Sequence, residues 1–138
     1  MIPFRVAFKP GASLYEQVVY AAKKALVSGQ LRPGDPFPSV RTLSAELKIN
    51  PNTAHKVITH LLNEGLLEVR PGTGTAVAVR RAPAAAECAR LLENEVEQLV
   101  VEAKKLAMSL DQVSDALAAH WHRLDIAEPA GKGARRSR

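Results

Sequence analysis

The sequence predicts a mainly α-helical protein with a small β-hairpin wing: a winged helix-turn-helix unit followed by a two-helix C-terminal appendage. Three observations predict this fold class. Two short helix patterns joined by a turn occupy residues 38–65. Two strand patterns joined by a Gly-rich tip follow at once in residues 66–80. Beyond Pro83 the apolar residues take the heptad-like spacing of long packed helices.

The composition limits the class of protein. The chain has 138 residues, of which 46% are hydrophobic and 4% aromatic, so its core is expected to be aliphatic. No apolar run approaches the ~18 residues that a membrane span requires, and the N-terminal sequence is not that of a signal peptide. Cys88 is the only cysteine, which fits a reducing compartment. We therefore expect a cytoplasmic protein without a membrane partner.

The charge is divided along the chain. Residues 1–82 carry 11 Lys+Arg and 5 Asp+Glu, a net +6, whereas residues 83–128 carry 4 and 9, a net −5. The last ten residues carry four basic residues and no acidic one. A basic front and an acidic rear are typical of a DNA-binding unit joined to a part that does not bind DNA. With the change of pattern, this predicts a DNA-binding domain, a helical dimerisation region and a disordered basic tail at 1–81, 82–126 and 127–138.

The first eighty residues contain the start and stop signals of three helices. Residues 2–8 alternate as a short strand or extended arm, and a capping box of Ser13 and Glu16 then opens a helix over residues 14–28. The helix is predicted from the helical spacing of its apolar residues Leu14, Val18, Ala21, Ala22 and Ala25.

The next two helices form the helix-turn-helix. Ser39 is the predicted N-cap of a helix over residues 39–47. Asn50 caps the third helix, which has Pro51 at its first position and ends at Gly65. Its outward face begins with Asn52, Thr53, His55 and Lys56.

Those polar residues suit the edges of DNA bases. Asparagine can pair with adenine, lysine can reach guanine, and threonine can contact a phosphate or a thymine methyl group. Arg41, early in the second helix, is predicted to contact a DNA phosphate or the DNA groove. The alternative role for Arg41 is a surface salt bridge with Glu46 or Asp35. A small helical bundle that binds nothing would share the periodicity, but it would not explain the wing or the local charge.

The predicted wing consists of strands at 66–70 and 75–80 around Pro71-Gly72-Thr73-Gly74. Gly72 and Gly74 would let the backbone approach a phosphate or enter the minor groove, with Arg70 supplying charge. The alternative for such a tip is an ordinary turn.

The rear of the chain predicts a long helix over residues 84–108 and a last helix over 110–124, the latter opened by a capping box of Ser109 and Gln112. A lone amphipathic helix would expose its apolar seam, so we expect two chains to pair there. The predicted dimer interface is Leu92, Val96, Leu99, Ala103, Leu106, Leu117 and Trp121. The basic tail would add phosphate contacts or only solubility.

No constellation for catalysis is present. The chain lacks a glycine-framed serine, a P-loop and a metal-spaced cluster, and its histidines have no cysteine partner nearby. We therefore expect no catalytic residue, no metal and no cofactor, while leaving a histidine metal site open. The histidines are His55, His60, His120 and His122.

The chain resembles the GntR superfamily of bacterial transcription regulators in three stretches: LYEQVV at 14–19, SGQLRPGDPFPSVRTLSAEL at 28–47 and NPNTAHKVITHLLNEGLLEVRPGTGT at 50–75. The resemblance covers about residues 13–78. The C-terminal LVVEAKKLAMSLDQVSDAL is similar to the YtrA-like subfamily.

The resemblance implies a winged helix-turn-helix homodimer that binds an inverted repeat in double-stranded DNA. It also implies a repressor, often of its own operon with membrane-transporter genes. The positions that match the family's DNA contacts are Ser39, Arg41, Asn52, Thr53, His55, Arg70, Gly72 and Gly74. Many relatives carry a larger basic residue at the position of His55 and a basic residue before the first wing glycine, where this chain has Pro71. The region beyond Pro83 is too short to enclose a ligand pocket alone, so any small-molecule effector would bind near the dimer interface.

Two other classes of function stay open from the residues alone. One is a winged-helix module for protein assembly, which predicts no sequence preference on DNA and little salt dependence. The other is a non-specific architectural DNA binder, which a low specificity ratio would distinguish.

Overall fold

The computed structural model describes residues 2–79 and 83–125. The chain forms two compact units, an N-terminal unit up to Val79 and a C-terminal unit from Pro83 to Arg123. The predicted boundary at residues 81–82 and the predicted tail at 127–138 lie outside the described residues. Among those that are described, no helix is long and apolar enough to cross a membrane.

The N-terminal unit contains three helices followed by a hairpin: α1 (Leu14–Ser28), α2 (Val40–Leu47), α3 (Pro51–Asn63), β1 (Leu67–Arg70) and β2 (Gly74–Val77). Each helix begins at a side-chain cap. The Ser13 hydroxyl accepts from the Glu16 N–H at 3.0 Å, and the Ser39 hydroxyl accepts from the Thr42 N–H at 3.1 Å. Such caps satisfy amide groups that have no partner within the helix. The predicted winged helix-turn-helix fold is confirmed.

A single cluster of buried side chains holds these elements together. α1 packs on α3, and α2 packs on α3. The fully covered side chains include Val18 of α1, Leu43 of α2, and Val57 and Leu61 of α3. Leu14, the first of the helically spaced apolar residues of α1, lies at the first turn and is exposed, because the core begins one turn further along.

Residues 2–8 were predicted to form either a short strand or an extended arm. In the structure they form the extended arm. Phe4 of this arm is buried, and its ring stacks on Phe37 with 5.8 Å between centroids. Phe37 lies in the loop that leads into α2. The Gln17 side chain holds the arm's end, accepting from the Lys9 N–H at 2.9 Å and donating to the Lys9 carbonyl at 3.0 Å. The arm therefore closes one side of the core.

The hairpin is antiparallel, with Leu67 opposite Val77 and Arg70 opposite Gly74. Its tip has the features of a type II turn: Pro71 at the second position, Gly72 at φ 80° at the third, and a 3.1 Å bond from the Thr73 N–H to the Arg70 carbonyl. Proline here sets the turn. β2 begins one residue before the predicted strand at 75–80 and ends at Val77, although the Ala78 N–H still donates to the Leu66 carbonyl at 3.0 Å in the same antiparallel register.

The chain beyond Pro83 is helical: α4 (Ala85–Arg90), a π-helical segment (Leu91–Glu95), α5 (Val96–Lys105) and α6 (Leu110–Asp125). α4, the π-segment and α5 run on without a break and replace the single long helix predicted for residues 84–108. The predicted capping box is complete: the Gln112 N–H donates to the Ser109 hydroxyl at 3.1 Å, and the Ser109 N–H donates to the side-chain Oε1 of Gln112 at 2.8 Å. Nothing in the pattern LLENE, which lacks proline and glycine, signals the π-segment.

The turn between α2 and α3 contains a residue in a left-handed conformation. Lys48, the C-cap of α2, has φ 57° and ψ 48°. A side chain with a β-carbon is strained there by about 1–2 kcal/mol, whereas glycine is not. Lys48→Gly is therefore expected to raise the free energy of unfolding of the N-terminal unit by about 1 kcal/mol in urea titrations. Lys48→Ala keeps the strain without the charge and should not stabilise; equal gains in both variants would attribute the effect to charge.

Candidate nucleic-acid interface

The N-terminal half of α3 presents polar side chains to solvent. Asn52, His55 and Lys56 are exposed, and Thr53 is half-buried. The helix starts abruptly because the Asn50 side chain accepts from the Asn52 N–H at 2.7 Å and Pro51 occupies the first helical position. On its opposite face, Ala54, Val57, Ile58 and Leu61 enter the core. One face thus anchors the helix while the other stays open to a partner.

Ser39 and Arg41 stand at the start of α2, but the structure gives them different surroundings. The Ser39 hydroxyl is engaged locally, since it caps α2 and also hydrogen-bonds the Thr42 hydroxyl at 3.2 Å. The Arg41 side chain is exposed and forms no ion pair within the described residues. The carboxylate of Asp35 accepts from the Arg32 N–H at 2.9 Å instead. The salt-bridge alternative for Arg41 is therefore absent from the described part of the chain.

The wing carries Arg70 in a local ion pair. The Nε and Nη2 atoms of Arg70 donate to one oxygen of Glu68 at 2.9 and 2.8 Å. These residues are two apart on β1, so they lie on the same face of the strand. Both side chains are about 40% exposed, so this pair is worth at most about 1 kcal/mol. Glu68, which the sequence pattern did not single out, therefore partly neutralises the charge at the base of the wing.

The tip of the wing is backbone-rich and open. Gly72 and Gly74 have φ 80° and 102°, and a β-carbon added at either would meet no atom within 4 Å. Glycine is thus needed for the conformation of the turn, not for space within the protein. The open side also leaves room for another molecule to approach the backbone.

The wing is tied to the start of α2 through the loop before it. Phe37 N–H donates to the Thr75 carbonyl at 2.8 Å, and Gly34 N–H donates to the Val77 carbonyl at 2.9 Å. In the other direction, Val77 N–H donates to the Asp35 carbonyl at 2.8 Å. These bonds pair β2 with the loop that leads to Ser39. They therefore fix the position of the wing relative to the start of α2.

A polar network joins α1 to α3. The Tyr15 hydroxyl lies 2.9 Å from Nδ1 of His60, whose Nε2 faces the carboxylate of Glu64. The other oxygen of Glu64 lies 3.1 Å from Nζ of Lys23. The Tyr15 ring also stands 5.5 Å from Nζ of Lys56. The sequence pointed to His60 as a residue of the polar face of the third helix and as a possible metal ligand, and no signal within one chain would have paired it with Tyr15, 45 residues earlier.

The C-terminal unit exposes much apolar surface. Six of the seven predicted interface residues are exposed in the single chain: Leu92, Val96, Leu99, Leu106, Leu117 and Trp121. Ala103 differs, because only 7% of it is accessible, so it has almost no surface left to bury against a partner. Further apolar side chains that were not predicted are also exposed, namely Leu91, Val100, Val101, Met108 and Leu110.

Two further candidate groups, a histidine and the cysteine, lie in the C-terminal unit. His120 is hydrogen-bonded to Arg123 at 2.9 Å, and Cys88 is exposed. Within the described residues, no group of three or more His, Cys, Asp or Glu side chains could hold a metal ion.

Comparisons with known proteins agree with this geometry. Residues 14–77 match the family described as bacterial regulatory proteins, gntR family. The HTH-type transcriptional repressor YtrA of Bacillus subtilis is 29% identical over 103 residues, which cover 74% of this chain and 79% of YtrA. YhcF of the same organism, an uncharacterized HTH-type transcriptional regulator, is 31% identical over 80% of this chain and 91% of its own.

The fold has a close counterpart among solved structures. The crystal structure of a transcriptional antiterminator from Listeria monocytogenes EGD-e superposes with a TM-score of 0.79 at 19% identity, covering 96% of this chain and 97% of that one. At this identity the likeness concerns the fold alone. The chain belongs to the gntR family of bacterial regulatory proteins, which are DNA-binding transcription regulators, and stands among its YtrA-like members.

Proposed function

We propose that the protein is a site-specific transcription repressor that binds a palindromic operator as a homodimer. Residues 1–81 would bind DNA and residues 82–126 would hold two chains together. α3 would lie in the major groove, with α2 crossing the backbone and the wing beside it.

The observation that carries this proposal is the divided surface of α3. The apolar face of α3 is buried. Asn52, His55 and Lys56 at its N-terminal end are exposed and do not pack in the core. A helix N-terminus also favours a nearby phosphate. Arg41, exposed at the start of the neighbouring helix, is suited to a phosphate because guanidinium binds phosphate oxygens with paired donors.

The wing would contribute through its backbone more than through charge. Gly72 and Gly74 hold the tip in its positive-φ conformation, and the space beside both residues is open. Arg70 would have to exchange its bond with Glu68 for a phosphate, which lowers the net gain from that contact. Together with Pro71 in the turn, this supports an operator contact at the wing that is weaker than in relatives with basic tips.

Pairing of two chains is supported by the apolar surface of the C-terminal unit. Soluble monomers rarely leave so many large apolar side chains uncovered in one short stretch. A two-fold dimer presents two recognition helices about one DNA turn apart, roughly 34 Å, and reads a palindrome for that reason.

Repression of the chain's own operon, with membrane-transporter genes, is the regulatory part of the proposal. Repression is supported by the relative YtrA of Bacillus subtilis, which is a transcriptional repressor. Loss of the gene should then raise transcription of its own operon, measured with a promoter reporter; a fall in transcription would indicate an activator. Any effector would bind near the dimer interface.

Selection of preferred sequences from random duplexes tests the specific binding. We expect an inverted repeat with half-sites about one turn apart, bound with an affinity that falls steeply as salt rises. Binding without sequence preference would favour the architectural alternative, and no DNA binding at low salt would favour the protein-assembly module.

Arg41→Ala is expected to weaken binding to the selected operator by about 10- to 100-fold while leaving the fold and dimer intact, because Arg41 is exposed and unpaired among the described residues. Fluorescence anisotropy and size-exclusion chromatography measure the two properties. Arg90→Ala in α4 removes the same charge from the C-terminal unit and is the matched control. Unchanged operator affinity in Arg41→Ala would remove Arg41 from the interface.

A further inference from the structure

One side chain of α1 contacts the recognition helix at two points. The Tyr15 ring stands under the ammonium group of Lys56, with Nζ 5.5 Å from the ring centroid. The Tyr15 hydroxyl lies 2.9 Å from Nδ1 of His60, one helical turn further along α3. Tyr15 is therefore held at its hydroxyl and presents its ring face to a lysine at the DNA-facing end of α3.

The hydroxyl contact is itself supported. The His60 ring meets the Tyr15 ring edge to face, with centroids 5.8 Å apart, and its Nε2 faces Glu64 one turn later. Glu64 in turn is paired with Lys23 of α1 at 3.1 Å. Two contacts between α1 and α3, Tyr15 with His60 and Lys23 with Glu64, thus support the position of the Tyr15 ring.

The geometry points to Tyr15 as a positioning residue that sets Lys56 for a DNA phosphate, with His60 holding Tyr15 in place. This inference rests on the proposed function, since it gives Lys56 a partner on DNA. Tyr15 would act through Lys56 and not by its own contact with DNA.

The physical reason lies in the lysine side chain. Its flexible four-carbon stem gives the free ammonium many positions, and binding a phosphate at one of them costs conformational entropy. An aromatic face attracts the ammonium and restricts it before DNA arrives. Lys56 is still exposed, and an ammonium has three donors, so the ring does not block a phosphate on the outer side.

A double-mutant cycle separates this role from a structural one. The variants are Tyr15→Leu, Lys56→Ala and the double variant, each titrated with the selected operator at several salt concentrations. Lys56→Ala should lower the slope of log affinity against log salt by about 0.9, the value for one lost phosphate contact. Tyr15→Leu alone should weaken binding about threefold, as expected for one exposed cation–π contact. In the Lys56→Ala background, Tyr15→Leu should have no further effect.

The chain offers a matched control on the same helix. Lys24 stands 5.9 Å from the ring of Tyr20, a pair of the same kind that lies outside the proposed interface. Tyr20→Leu should leave operator affinity unchanged. Tyr15→Phe keeps the ring but loses the bond to His60, so it should weaken binding less than Tyr15→Leu, and circular dichroism reports whether each variant is folded.

The outcomes distinguish the inference from the function on which it rests. If the unaltered protein selects no sequence, the proposed function fails. If it binds its operator and Tyr15→Leu weakens binding equally with and without Lys56, Tyr15 acts directly on DNA or through the fold, and the positioning role is overturned. An unchanged affinity in Tyr15→Leu would overturn it as well.

Discussion

Replacing Leu61 with alanine is expected to lower the free energy of unfolding of the N-terminal unit by about 2–5 kcal/mol. Leu61 lies on the inner face of α3, is fully inaccessible, and belongs to the single cluster of buried residues in this unit. The smaller side chain removes buried apolar contact and leaves a cavity that the surrounding helices fill only in part. Domains of this size are stable by only about 5–15 kcal/mol, so the loss is a large fraction of the total.

Urea unfolding followed by circular dichroism measures this change. Leu14→Ala removes the same atoms from an exposed position on α1 and should change stability by no more than about 0.5 kcal/mol. A similar loss in both variants would mean that helix propensity, and not burial, determines the effect.

Leu99→Glu is expected to convert the proposed dimer to a monomer and to weaken operator binding by roughly 10²- to 10⁴-fold, the gain that linking two binding units typically provides. Leu99 lies at the centre of the predicted seam and is 44% exposed in the single chain, so the single unit tolerates a polar residue there. Between two chains, however, the carboxylate would be buried without a partner.

The oligomeric state and the affinity are measured separately, by analytical ultracentrifugation and by titration with the operator. Val101→Glu introduces the same charge two residues later, about 200° around α5, at another exposed apolar position. It should leave the dimer intact. If only Val101→Glu dissociated the dimer, the interface would lie on the opposite face of α5. If neither variant dissociated it, α5 would not be part of the dimer interface.

Much of the N-terminal unit was predictable because local chemistry decides it. The predicted helix at residues 14–28 agrees with α1, and Asn50 with Pro51 correctly marks the start of α3. Capping bonds, the fixed φ of proline and the left-handed preference of glycine involve neighbours in sequence, so they can be inferred from a few adjacent residues. The family resemblance followed from the same residues.

Contacts between distant residues were not predictable in this way. The stacking of Phe4 on Phe37, the bonds from β2 to the loop before α2, and the link from Tyr15 to His60 all join separate parts of the chain. The exposure of Leu14 and the burial of Ala103 also depend on where other elements pack. Helical spacing shows which residues share a face, but not how far a partner covers it.

The order of elements, the starts of α1 to α3, the hairpin turn and the division into a basic front and an acidic rear follow from the sequence, because each depends on neighbouring residues or on composition. Two features needed the tertiary structure. It left Arg41 without an ion pair among the described residues, and it placed the Tyr15 ring beneath Lys56. These features depend on the distance between charged and aromatic groups, and that distance exists only once the helices and the wing have packed.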